Sequence, residues 1–152
     1  MSALVEQPQY LPLLFPLFFA GIWVSVSLVI SRLGWSSFAE CYPAQGKPLG
    51  EAYNSPSSWF GTIFASYRNV VRVVFTEAGI YFSVMFLFRA FHPPFLVPWA
   101  SVRSIERKKV FVVSRLRIDI EDSCGEIHVL LPLKAETELR AHCKRPDLLA
   151  RL

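Results

Sequence analysis

From Gln7 to Ser31 the chain carries no charged residue, and within that stretch Leu11–Ile30 reads LPLLFPLFFAGIWVSVSLVI. At ~1.5 Å rise per residue, a helix of that length crosses the ~30 Å hydrocarbon core of a bilayer. Pro12 and Pro16 lie near its start, where a missing N–H costs least, although Pro16 is also placed to kink it. Tyr10 and Trp35 bracket the run at the depth where interfacial aromatics collect, and Trp23 lies inside it. A cleaved signal needs a basic amino end, a shorter apolar core and a small-residue cleavage site. Here the amino end holds Glu6 with no Lys or Arg, no Ala-x-Ala follows, and Glu40 occupies the small position before Cys41 that a lipoprotein site requires. The sequence therefore predicts a retained transmembrane helix over residues 10–33, preceded by a flank of residues 1–9.

Composition constrains the remainder of the chain. With 152 residues, 53% of them hydrophobic and 18% charged, the chain is too apolar to be disordered and about long enough for one domain. The many charges after residue 31 exclude a polytopic membrane protein. Arg32 and Lys47, then Arg68 and Arg72, follow the helix and no Lys or Arg precedes it, so the C-terminal domain is expected on the cytoplasmic side. Cys41, Cys124 and Cys143 are an odd number without pair spacing and read as reduced thiols. A net charge of +4 with no recognition motif argues against nucleic acid as a partner.

Residues 34–58 read as a short amphipathic helix and a loop. Trp35, Phe38, Ala39 and Tyr42 fall at i, i+3, i+4 and i+7, Gly34 is placed to interrupt the membrane helix, and Ser37 with Glu40 offers a capping box. The apolar face is expected to lie on the domain rather than on the headgroups. Residues 59–145 then give five strand-like runs and a helix. Trp59–Phe75 holds two strands or one bent strand, Ile80–Phe88 is the second run, and Phe95–Arg107 the third. Lys109–Glu121 is the fourth, with Leu116, Ile118 and Ile120 alternating against Arg115, Arg117, Asp119 and Glu121. Asp122–Gly125 turns into the fifth, Glu126–Leu131. Ala135–Cys143 carries Glu136 and Glu138 ahead of Arg140, the order a helix dipole favours, and Pro146 ends it before a tail of residues 146–152. The fold class is α+β: one membrane helix, then a mostly antiparallel β domain closed by a C-terminal helix.

Gly79-Ile80-Tyr81-Phe82-Ser83, followed by Leu96-Val97-Pro98-Trp99-Ala100-Ser101-Val102, resembles a pattern in pleckstrin-homology-like domains of the GRAM and bacterial types. There, a glycine-started strand precedes an I-P-W-x-x-I segment. The resemblance spans Trp59–Cys143 and implies a partly open barrel of two packed sheets plugged by a helix. It also implies membership among small single-pass bacterial membrane proteins without an assigned activity. Phosphoinositide-binding members use a basic cluster between their first two strands; the corresponding Ala65–Arg72 supplies only Arg68 and Arg72.

Two surfaces are candidates for function. Arg103, Arg107, Lys108, Lys109, Arg115 and Arg117 face one opposing charge, Glu106, within their window, and so form a candidate face for anionic lipid. Phe86, Phe88, Phe91, Phe95 and Trp99 continue an aromatic run apolar on both faces, which demands burial on both. One face fills the core; the other calls for the bilayer, a protein partner or a second copy. The available zinc-ligand set, Cys124, His128, His142 and Cys143, has poor spacing. His92 before two prolines reads as a structural loop residue. No nucleophile elbow or phosphate-binding glycine loop is present. The expectation is a non-enzymatic, cofactor-free adaptor or assembly partner at the membrane, with anionic-lipid binding by the Arg103–Arg117 face as the alternative.

Overall fold

The computed structural model describes residues 10–152; the flank of residues 1–9 lies outside them. A helical rod opens the chain in three consecutive segments: α1 (Leu11–Ile30), a π-helical turn (Ser31–Trp35) and α2 (Ser36–Cys41). The helix is long and apolar enough to cross a membrane, and almost none of its apolar stretch is buried in the protein. Gly34 does not interrupt it. A Cβ there would stand 2.0 Å from the Phe60 carbonyl oxygen, so glycine is what lets the rod pass flush over the sheet. The expected capping box at Ser37 has no helix start to cap, because α2 continues the preceding turn without a side-chain cap. Trp35, Phe38 and Ala39 are buried and Tyr42 is half-buried, so the amphipathic face does lie on the domain.

Nine strands follow in two antiparallel sheets: β1 (Tyr53–Asn54), β2 (Ser57–Phe60), β3 (Thr62–Tyr67), β4 (Val71–Phe75), β5 (Gly79–Val84), β6 (Phe95–Pro98), β7 (Val102–Val110), β8 (Val113–Asp122) and β9 (Gly125–Pro132). One sheet has the order β1-β4-β5-β6 and the other β3-β2-β9-β8-β7. Inward residues of both sheets, among them Phe60, Phe82, Phe95, Ile118 and Val129, build one core with Trp35 and Phe38 from the helical rod. α3 (Ala135–His142) closes the domain through Ala135 and Leu139. Residues 146–152 are more than a tail, since α4 (Pro146–Leu149) buries Leu148.

Several expected boundaries move. The run Phe95–Arg107 breaks at a 3-10 turn, Trp99–Ser101, that carries the chain from one sheet to the other. Ile80–Phe88 leaves its strand at Val84, and Phe86–Phe91 becomes a 3-10 segment. The third and fourth expected runs part at Lys108, whereas the hairpin turns at Phe111–Val112, so Arg107, Lys108 and Lys109 belong to β7.

Cys41 and Cys124 are joined as a disulfide across 83 residues of sequence, which corrects the reading of reduced thiols. Spacing carries no sign of this pair because the helical rod creates it. Phe38 lies against Gly125 at the start of β9, and Tyr42 donates to Asp122 at 2.9 Å, bringing the end of α2 to Cys124. Only Cys143 remains a thiol, and it is buried.

Candidate membrane-contacting surface

The aromatic run divides into core and surface. Phe95 is fully buried and packs on Trp35 and Phe82, with ring centroids 4.8 and 5.2 Å apart. Trp99 is buried against Phe75 and donates its indole N–H to the Thr76 carbonyl at 2.9 Å. Both are removed from the candidate interaction face: β6 pairs with β5 and turns Phe95 inward, and the 3-10 turn after β6 buries Trp99. The surface part is the 3-10 segment. Phe86 is 82% exposed and Leu87 69% exposed, while Phe88 turns back onto Trp23 of α1, with ring centroids 5.0 Å apart.

That contact sets the height of the segment along the rod. Trp23 lies seven residues before Ile30, about 10 Å back into the apolar helix at ~1.5 Å per residue. Polar contacts hold the segment there. The Ser31 hydroxyl donates to the Phe91 carbonyl, and Trp35 donates to the Pro93 carbonyl at 2.8 Å. His92 is buried, with Nδ1 2.9 Å from the Phe88 carbonyl and Nε2 2.9 Å from the Tyr67 hydroxyl. A carbonyl only accepts, so Nδ1 carries the proton and Nε2 accepts from Tyr67. Burial lowers the His92 pKa, partly offset by the Phe88 carbonyl, and burial raises that of Tyr67. Arg32, Arg68 and Arg89 are exposed around this junction, and none forms an ion pair among the described residues.

The Arg103–Arg117 face lies on the other edge of the five-stranded sheet, and half of it is already paired. Arg103 meets Glu121, Arg117 meets Asp119 at 2.8 Å, and Arg107 makes a two-pronged contact with Glu136 at 2.8 and 2.6 Å. The Arg107 contact, opposed by partial burial and reinforced by Arg140, holds the Glu136 carboxyl down at about 2. Lys108, Lys109 and Arg115 have no acidic partner among the described residues. Beyond them the hairpin tip presents Phe111 at 95% and Val112 at 89% exposure, with Phe111 at φ 56°.

The outer face of the same sheet holds a row that the sequence alone did not reveal. Trp59, His128, Asp119 and Ser104 are cross-strand neighbours on β2, β9, β8 and β7. Asp119 accepts from His128 Nδ1 at 2.6 Å, Arg117 at 2.8 Å and Ser104 at 3.1 Å. Burial opposes ionisation of Asp119, yet Arg117 and His128 outweigh it and keep the carboxyl below its ordinary value. Beside the row is an open cavity of about 510 Å³ lined by Trp59, Lys108, Val110, Arg117, His128 and Leu130. Alternation in β8 and β9 marks these residues as outward, but only strand order shows that they adjoin. Of the zinc-ligand set, Cys124 is taken up in the disulfide, and no three such side chains gather among the described residues.

No family model, curated protein or solved structure matches this chain.

Proposed function

We propose that the protein is a membrane-anchored, non-enzymatic binding module whose β domain sits flush against the bilayer and leaves its outer sheet face free for a partner. The observation that carries this reading is the pair of exposed side chains Phe86 and Leu87, on a segment packed against Trp23 beside the apolar helix. In water such a pair would be a liability; in the bilayer it is solvated by hydrocarbon. A retained anchor is supported by the rod itself, because one helix runs from the apolar stretch into Trp35 and Phe38 of the core. Two packed antiparallel sheets closed by a helix support the pleckstrin-homology-like resemblance. The groove beside Trp59 has a volume within the ~300–1,000 Å³ usual for binding sites and suits an adaptor role.

A second reading has its own observation. Phe111 and Val112, beside Lys108 and Lys109, would dip the far hairpin into an anionic surface. One experiment separates the two. A fluorophore placed at Leu87→Cys or at Val112→Cys, in a Cys143→Ser chain reconstituted in vesicles, is challenged with a lipid-borne quencher. Quenching at position 87 and none at 112 is expected. Quenching at 112 alone supports the hairpin reading, and none at either position removes both.

The side of the membrane turns on two opposed observations. The arginine and lysine after the helix favour the cytoplasm, whereas the Cys41–Cys124 bond favours an oxidising compartment. We infer from the covalent bond that the domain faces the oxidising side.

A further inference from the structure

We propose that the crevice between α1, the β3–β4 turn and the 3-10 segment is a binding site for one anionic phospholipid, with an acyl chain in the crevice and the phosphate on Arg68. This rests on the reading that α1 spans a membrane. The crevice has a volume of about 250 Å³ and is walled by Trp23, Val26, Ile30, Val70 and Phe88, with Arg68 among its lining residues. It runs beside the apolar helix over the seven residues from Trp23 to Ile30, so it opens at the depth of lipid tails. Its volume suits part of one chain, not a whole lipid or a folded partner.

Tyr67 and His92 satisfy each other, and the small hydroxyls of Ser27 and Ser66 complete a lining that is otherwise apolar apart from Arg68. The walls therefore select hydrocarbon. The side chain of Arg68 is exposed and has no acidic partner among the described residues. A guanidinium is the side chain best matched to a phosphate, which it grips with two parallel N–H donors. Apolar walls with an unpaired cation among the lining are complementary to a single amphiphile, a phosphodiester bearing a net negative charge. Lys108 of the far hairpin also lines a cavity, the one beside Trp59, but no residue of α1 contributes to that lining.

The test is native mass spectrometry of the full chain in detergent, titrated with phosphatidylglycerol or phosphatidylcholine of identical chains. One phosphatidylglycerol per chain should be retained, at least ~5-fold in preference to phosphatidylcholine, and Arg68→Ala should erase the preference. Lys108→Ala with Lys109→Ala should leave it intact. Soluble glycerol phosphate should not compete, since it lacks the chain that fills the crevice. Equal retention of the two lipids, an unchanged Arg68→Ala, loss of the preference in the lysine variant, or competition by glycerol phosphate would each overturn the proposal. Alkaline carbonate extraction of the source membranes separates the two levels. Release into the supernatant removes the anchored reading itself, while retention without lipid preference removes only this site.

Discussion

The fold constrains His92 in its protonation and Phe111 in its backbone conformation. His92 is neutral in the fold because burial lowers its pKa, while the unfolded chain titrates near 6.5. Below that value the unfolded state takes up a proton that the folded state resists, so stability present above about pH 6.5 is lost as the pH falls toward the lowered value. The proton would also convert Nε2 from acceptor to donor and reverse the Tyr67 contact that ties the 3-10 segment to the domain, turning the hydroxyl toward the Ile30 carbonyl. Thermal melts at pH 7.5 and 5.5 should show a fall in midpoint for the native chain that is smaller in His92→Gln. An equal fall in both would remove His92 as a source of the pH dependence. Phe111 presents the other kind of cost, with φ 56° and no burial to offset it. A bulky residue in that region stores on the order of 1–2 kcal/mol. Phe111→Gly relieves the strain and gives back part of it through chain entropy, so a gain of roughly 0.5–1 kcal/mol in denaturant unfolding is expected.

The helical rod shows what sequence periodicity can and cannot resolve. The apolar run Leu11–Ile30 and the spacing of Trp35, Phe38, Ala39 and Tyr42 were legible, since both follow from burial on a 3.6-residue period. The role of Gly34 was not: local propensity marks it as a breaker, whereas its function is long-range, a close approach to the Phe60 carbonyl. The same limit explains the aromatic run. Its excess apolarity was visible, but the break at Val84 that sends Phe86 and Leu87 outward, and Phe95 and Trp99 inward, depends on strand pairing. So does the meeting of Trp59, His128 and Asp119, which comes from three separate strands. Gly34→Ala tests the long-range role. Backbone atoms on both sides leave no flexible group to yield, so a loss of about 3 kcal/mol is expected, toward the upper end for overpacking. A loss within a few tenths, the cost of a tolerated surface change, would show that the rod is free to lift from the sheet.

At the scale of the molecule, the Cys41–Cys124 bond ties the end of the helical rod to the β8–β9 turn across 83 residues. Loop-closure entropy for a span of that size corresponds to roughly 4–5 kcal/mol in the chain-entropy treatment. The contacts of Phe38 with Gly125 and of Tyr42 with Asp122 survive without the bond, so Cys124→Ser should cost less, about 2–4 kcal/mol by denaturant unfolding. The proposed placement on the oxidising side rests on the same bond. Charge acts on topology during insertion, and here the count is Arg32 and Lys47 against none, a small bias. A disulfide instead persists only where the surroundings allow it. Cells quenched directly into acid, then denatured and treated with a mass-tagged maleimide, give the count of free thiols per chain. On the oxidising side one tag is expected before reduction, on Cys143, and three after it. Three tags without reduction would place the domain in a reducing compartment, on the side that the arginine and lysine favour.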